Sequence, residues 1–401
     1  MTQSSETLTA AEIFPRVHAW ETLLAAWARV EENEGVPGVD GVTLDEFELK
    51  LEEHLATLQR DLAARTYRPQ PYLRAWMPKP TGGRRPLAIP TVRDRVGQCA
   101  AALTITPILE REFETASFGF RRGRSVPHAI AQIQHYREQG YQWVVDADIE
   151  SFFDEVDHAR LLARLRESIP DPDLLRLIES WVTAPVQDGE KLLVPSRGLP
   201  QGSPISPVLA NLYLDRFDEV LQQRGTKLVR FADDFLVLSK DRPKAEAALQ
   251  LTEALLKELG LRLDPEKTQV THFDRGFRYL GHLFVRSVVL SSPNRLQRPD
   301  PLEVPASPPH LPEVPTTPPR RRRLRAVHPV DRGTALSHAM AQALAVAGRE
   351  SLLLPESPSL QDLIQPKEDN LRYYRLCRDC LAQTTVVGER PLTTDSDYWI
   401  V

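Results

Sequence analysis

Three cysteines among 401 residues leave no disulfide framework, and Cys377 and Cys380, although they form a CxxC, have no second pair or well-placed histidine to complete a zinc site. They are read as structural. No apolar run is long enough to span a bilayer, and the opening MTQSSETLTAAEIF lacks the basic-then-apolar pattern of a secretory signal. The expectation is a cytoplasmic protein with no membrane contact. No internal repeat is visible, so the chain is not built from copied units.

Charge of one sign does not dominate either. The net charge is −5, from 50 Lys and Arg against 55 Asp and Glu, but the sum hides opposite local fields. Residues 1–57 hold twelve acids and three bases, whereas residues 65–95 carry seven arginines and Lys79 against the single acid Asp94. A solvated basic face is the ordinary fate of such a run, and a phosphate-facing surface is the alternative. With 41% hydrophobic and 26% charged residues, the composition is that of an ordinary globular protein and names no function.

Trp20, Leu23, Leu24 and Trp27 recur at helical spacing, so the first sixty residues read as helical, broken by GVPGVDGV at 35–42, whose glycines and proline demand a fixed loop. LRAWMPKPTGGRRPLAIP at 73–90 reads as two strands joined by a Thr81-Gly82-Gly83 turn, a hairpin with a flexible basic tip. QWVVDADI at 142–149 is a β-rich run ending in acids, followed by a helix from near Asp157. After Gly202, the string PISPVLANLYLDRFDEVLQQRG sets Leu209, Leu212, Tyr213, Phe217, Val220 and Leu221 on one helical face, with prolines at its start and Gly225 past its end.

LVRF and FLVL flank Ala232-Asp233-Asp234 as the strands of one hairpin. A helix then runs to Leu259, and FRYLGHLFVR at 277–286 reads as a short hairpin around Gly281. Eleven of the 34 prolines lie within 293–329, and 320–325 adds five arginines, so 291–332 reads as an extended linker. The expected organisation is an N-terminal helical region (1–34), a globular catalytic part (35–290), that linker, and a small C-terminal region (333–401) with one candidate helix at 334–346 and no assignable activity.

An Asp-Asp pair in a hairpin is commonly plain turn chemistry. Here apolar strands on both sides would bury Asp233 and Asp234, where adjacent like charges repel unless a cation neutralises them. Oxygen ligands without histidine or thiolate point to a hard ion such as magnesium. Asp148, at the end of QWVVDADI, is the expected third acid in preference to Asp146, which shares its strand face but lies further from the strand end.

At this point the chain resembles the reverse transcriptases, especially the bacterial ones of group II introns and of CRISPR loci. GVPGVDGV, MPKPTGGRRPLAIPTVRDRV, FGFRRGRSVPHAI, DADIESFFDEVDH, GLPQGSPISPVLANLYL, FADD, LDPEKTQV and FRYLGHLF follow in family order over residues 35–286. The resemblance implies an α+β right-hand polymerase, with fingers and an antiparallel palm sheet packed on helices and the thumb reduced or unrecognised. It implies RNA-directed DNA synthesis on an RNA template from a DNA or RNA primer with deoxynucleoside triphosphates. It also implies two magnesium ions, with manganese as a substitute, held by Asp148, Asp233 and Asp234.

By the same resemblance Lys79 and Arg85, with Arg84 as a third, clamp the triphosphate, and Phe153 sits under the incoming sugar to reject a 2′-hydroxyl. Phe152 and Phe153 cannot both be core if they alternate along a strand. Gln201 and Gly202 lie near the nucleotide sugar and template. Phe231 replaces the more usual tyrosine of YADD near the primer end, and Lys267 is placed as a proton donor to the departing pyrophosphate. FRYLGHLF resembles a primer grip.

The proline-rich stretch followed by a short helix is similar to what joins reverse transcriptase to integrase in CRISPR fusion proteins. CRISPR adaptation with integrase partners is therefore the first biological expectation, with intron mobility and phage (antiviral) defence as alternatives. An RNA-dependent RNA polymerase would be expected to carry a small or acidic residue where Phe153 stands. A non-catalytic nucleic-acid-binding scaffold would tolerate loss of the acids, all of which are present.

Overall fold

The computed structural model describes residues 10–78 and 83–291. Lys79, the Thr81-Gly82 part of the expected turn, the linker, the C-terminal region with its candidate helix, and any thumb lie outside the described residues. Among the described residues no helix is long and apolar enough to cross a membrane.

The chain opens with α1 (Ala10–Val17), α2 (Trp20–Glu32), α3 (Leu44–Glu48) and α4 (Leu51–Ala63). Leu23, Leu24, Trp27 and Val30 of α2 are buried, as their helical spacing predicts. A reciprocal Thr43–Glu46 capping box starts α3. The glycine-rich loop at 35–42 is fixed by close packing. A side chain on Gly38 would sit 2.7 Å from the Thr91 backbone, and the buried Arg95 guanidinium lies against Gly35 and donates to the Val36 carbonyl at 2.6 Å.

Next come β1 (Tyr72–Pro78) and β2 (Arg84–Ile89), the expected hairpin, with Met77 opposite Arg85 and Pro78 opposite Arg84. Helix α5 (Val92–Leu109) follows and is buried along much of its length. Its Asp94 carboxylate accepts from the Tyr67 hydroxyl (2.5 Å) and the Gln70 amide (3.0 Å), and Trp181 Nε1 donates to the Tyr67 oxygen (2.8 Å). Then come α6 (Val126–Glu138), β3 (Trp143–Asp148), α7 (Phe152–Glu155), α8 (His158–Ser168), α9 (Pro172–Val182), β4 (Val186–Asp188) and β5 (Lys191–Leu193). Asp157 caps α8, as the sequence predicts, by accepting from the Arg160 amide.

Strands β2-β1-β4-β5 form one sheet. The root of its β1–β2 ribbon is tied to the rest of the molecule: the Tyr72 amide donates to the Pro185 carbonyl (2.8 Å), the Tyr72 hydroxyl to the Trp181 carbonyl (3.1 Å), and the Ala88 amide to the Gln201 carbonyl (2.7 Å).

The C-terminal half adds α10 (Ser206–Gln223), β6 (Lys227–Phe231), β7 (Asp234–Ser239), α11 (Arg242–Glu258), β8 (Gln269–His272), β9 (Phe277–Tyr279), β10 (His282–Val285) and β11 (Val288–Ser291). The sheet β6-β7-β3-β8 is antiparallel throughout. Alternation along its strands splits the interior in two. Val145, Ala147, Phe235 and Val237 join the main core with α10 and α11, while Val144, Val229, Leu236 and Leu238 pack with α6 and the small sheet β11-β10-β9. Full burial of each of the Val, Leu and Phe side chains among these stabilises by about 1.5–3 kcal/mol. The fold is α+β, with an antiparallel sheet packed on helices as the resemblance implies.

FRYLGHLFVR forms the expected hairpin, with β9 antiparallel to β10 around Gly281, and β11 adds a third strand on β10. One expectation is corrected here. Phe152 and Phe153 lie in the short helix α7 rather than on a strand, since Ser151, in the left-handed region at φ 48°, ends the extended run. Only Phe152 is fully buried, but helix geometry rather than strand alternation is the reason.

Candidate active site

Asp148 is the last residue of β3 and Asp234 the first of β7, and the antiparallel register sets them directly opposite each other. Asp233 occupies the two-residue loop between β6 and β7, whose first residue, Ala232, takes φ 59°, a conformation such tight hairpins require. The Ile149 amide donates to the Asp233 carbonyl at 3.4 Å, tying the loop to the end of β3. Three carboxylates distant in sequence thus converge at one end of one sheet.

Their electrostatics show uncompensated charge. Partial burial, with the Asp148, Asp146 and Asp233 carboxylates beside it, pushes the Asp234 acid up to about 8. Burial and Asp148 raise Asp233 to about 6, and the Arg85 and Lys267 charges offset only part of that rise. Asp146 is also raised to about 6, chiefly by burial. Gln269 Nε2 donates to it at 3.1 Å, which engages it with β8. Lys267 forms an ion pair with Asp148 and lies 3.5 Å from Asp264, while the Asp264 amide donates to the Asp148 carbonyl at 2.9 Å.

The donor set suits a hard cation: carboxylate oxygens alone, brought together at an energetic cost that positive charge would remove. Among the described residues no three His, Cys, Asp or Glu side chains form a ready-made metal cage. An ion of the magnesium kind takes one or two carboxylates and completes its shell with substrate phosphate and water.

The remaining predicted residues divide. Arg85 is close enough for its charge to act on Asp233, and Arg84, exposed, follows the opposite face of the ribbon. Phe153, half-buried, meets the Phe120 ring edge-on at 6.4 Å, and its carbonyl accepts from the Leu199 amide at 2.6 Å. This bond joins α7 to the loop carrying Gln201 and Gly202, where Gly202 takes φ 113°, open to glycine. Phe231 closes β6 opposite Asp234. Lys79 lies outside the described residues.

The sequence reasoning missed what supports the aspartate turn. Arg230, in the middle of β6, is buried and paired with buried Asp218 of α10 at 2.5 Å, and it donates to Asn211 Oδ1 (3.1 Å) and to the Ala232 carbonyl (2.9 Å). Asn211 in turn donates to the Gly119 carbonyl at 2.9 Å. A Cβ on Gly119 would come within 2.5 Å of the Ala232 nitrogen, so only glycine lets this segment back the loop. From the other side the Tyr279 hydroxyl reaches the Asp234 carbonyl at 3.0 Å. A charged residue inside the otherwise apolar LVRF was the available signal.

A family model for reverse transcriptase (RNA-dependent DNA polymerase) matches residues 77–284. Protein YkfC of Escherichia coli strain K12 is 33% identical over 289 residues, which is 62% of this chain and 76% of YkfC. The group II intron-encoded protein LtrA of Lactococcus lactis subsp. cremoris is 32% identical over 227 residues, covering 55% of this chain and 37% of LtrA. A chain in a solved partial Cas6-RT-Cas1–Cas2 complex is 34% identical, with 61% of this chain and 41% of that one covered and a TM-score of 0.39. The chain therefore spans less than half the length of LtrA and of that solved chain. The model match covers just over half of the 401 residues and includes the strands that carry all three aspartates. The chain belongs to the reverse transcriptase (RNA-dependent DNA polymerase) family.

Proposed function

We propose that the protein is an RNA-directed DNA polymerase that adds deoxynucleotides to the 3′ end of a primer. The observation that carries this reading is the convergence of Asp148, Asp233 and Asp234, with two of the three held above the ordinary carboxylate range by burial and by one another. Asp148 and Asp233 would hold two magnesium ions, or manganese, with Asp234 as the third carboxylate. Bound there, such ions would supply a more acidic primer hydroxyl and a neutralised leaving group.

The chain's own residues do the rest. Arg85, with Arg84 and Lys79, would hold the triphosphate, the arginines through paired hydrogen bonds and the lysine as a point charge. Phe153 would exclude a 2′-hydroxyl by contact, and Gln201 and Gly202 would border the sugar and template. Phe231 would lie by the primer end. The primer 3′ hydroxyl would lose its proton to water, its oxygen would attack the α-phosphorus as the bond to pyrophosphate breaks, and Lys267 would donate a proton to the departing oxygen. In this reading residues 35–290 are fingers and palm, 1–34 a helical lead-in, 291–332 a linker and 333–401 a separate region.

Primer extension on RNA and DNA templates tests the proposal, with each nucleotide type, magnesium or manganese, and Asp233→Ala as control. Deoxynucleotide-dependent extension on RNA that disappears in the control is expected. No synthesis with any template and either metal would overturn the proposal and leave the scaffold reading; extension with ribonucleotides alone would favour an RNA polymerase.

For the biological setting we propose CRISPR spacer acquisition from RNA, with integrase partners, supported by the likeness of the proline-rich sequence at 293–329 to reverse transcriptase–integrase connections. Intron mobility is favoured by the 32% identity to LtrA. Co-purification with a neighbouring integrase supports the first, and tight binding of an intron RNA supports the second.

A further inference from the structure

The end of the palm sheet remote from the aspartates gathers cations and aromatic rings. Trp143 opens β3 and pairs with Ser239, so Lys240 follows at the same edge, and Lys227 opens β6 opposite Leu238. The Lys227 amine lies 5.6 Å from the Tyr136 ring centre and 5.8 Å from that of Tyr141, and the Lys240 amine lies 5.1 Å from Tyr141. Arg242 lies over Trp143 at 5.8 Å.

Arg242 is accounted for by its ion pair with Glu246 at 2.8 Å. The lysines are not. Among the described residues neither has a carboxylate partner, and Asp241, the acid next to Lys240 in sequence, is taken by Lys244 at 2.9 Å. Lys227 is also half-buried. Two ammonium groups therefore share the Tyr141 ring, at 5.8 and 5.1 Å from its centre. Rings hold such groups in place without cancelling their charge. An anion supplied from outside would cancel it.

We propose that this end of the palm sheet is a second nucleic-acid contact, which takes the phosphate backbone of a single strand outside the catalytic cleft. Phosphate suits lysine as a point charge, and aromatic side chains beside a basic surface are how sequence-tolerant single-strand sites are built. The site lies about 17 Å from Asp148, five residues along β3 at about 3.3 Å each, at the opposite end of the sheet from the carboxylates.

The test uses the full chain saturated with a primer–template hairpin, to which labelled oligo(U) or oligo(dT) is added and its anisotropy followed against salt. Because binding is read rather than synthesis, failure here is distinct from failure of the polymerase proposal. Binding of either oligonucleotide supports the proposal, the tighter one naming the strand. Lys227→Glu with Lys240→Glu should then weaken binding about tenfold and lower the salt slope by about 1.4, the value for two single-strand phosphate contacts, while extension of the hairpin itself is unchanged. If that variant fails to fold, Lys227→Gln with Lys240→Gln is read instead and should lower the slope by the same amount. No oligonucleotide binding to the saturated protein, or affinity and slope unchanged in a folded variant, would overturn the proposal and leave a purely structural cluster.

Discussion

Arg230 and Asp218 form an ion pair in which both side chains are 1% exposed, and the same guanidinium holds the Ala232 carbonyl. The turn that presents Asp233 thus rests on a buried ion pair. Removing one member strands the other. Asp218→Ala is expected to cost about 3–5 kcal/mol, read as a lowered urea midpoint, whereas replacing both residues by apolar ones of similar volume should recover much of that loss. An Asp218→Ala protein as stable as the parent would mean the pair does not anchor the turn.

The palm carboxylates make the metal-free fold sensitive to pH. An acid whose folded pKa lies above its unfolded value of about 3.9 stabilises the fold at low pH, and that contribution is lost as pH rises through the folded value. Asp234 at about 8 and Asp233 at about 6 therefore set a window from about pH 4 to about 8. In chelator, melting temperature should fall as pH rises from about 5 to 8. Asp234→Asn should flatten that fall, and magnesium should reverse it at the upper end. A flat profile in the parent protein would contradict the assigned electrostatics.

Lys267 touches Asp148 in the resting structure and has to leave it to serve a departing pyrophosphate. Lys267→Met should lower kcat by roughly a hundredfold to ten-thousandfold, the range of general acid–base catalysis, with little change in nucleotide KM. The basic limb of the pH–rate profile should vanish with it. Equal changes in kcat and KM would instead mark Lys267 as a residue that only positions Asp148.

Phe153 is held by the Phe120 ring and by the Leu199 amide, so the position we propose for it under a sugar would be braced from two sides. Phe153→Val or Phe153→Ala should raise ribonucleotide relative to deoxynucleotide incorporation by roughly tenfold to a hundredfold, the range for one shape change in a pocket. Competition assays with paired nucleotides measure it, and an unaltered ratio would remove Phe153 from the specificity role.

Strands, caps and the aspartate turn were legible because each rests on local chemistry: the β-rich run of β3, the Asp157 cap and the glycine past α10 all act within a few residues. The Phe152–Phe153 segment was misjudged because one left-handed residue, Ser151, switches the chain from strand to helix, and serine carries no strong signal for it. The Arg230–Asp218–Asn211 group was invisible for a different reason. It joins a helix to a strand, and only tertiary packing shows that a charge inside an apolar strand has a buried counter-charge rather than a solvent-facing edge.

The ties of Tyr72 and Ala88 at the root of the β1–β2 ribbon have a mechanical corollary. With the base clamped to the segments around Trp181, Pro185 and Gln201, the sheet cannot swing as a plate. Arg85 stands four residues beyond Ile89, about 13 Å out along the ribbon at about 3.3 Å per residue, on a free lever. Any inward travel of its guanidinium toward the triphosphate we propose it holds would come from flexing of that lever, so on that proposal stiffening the ribbon would slow capture of the nucleotide without disturbing the carboxylates beneath.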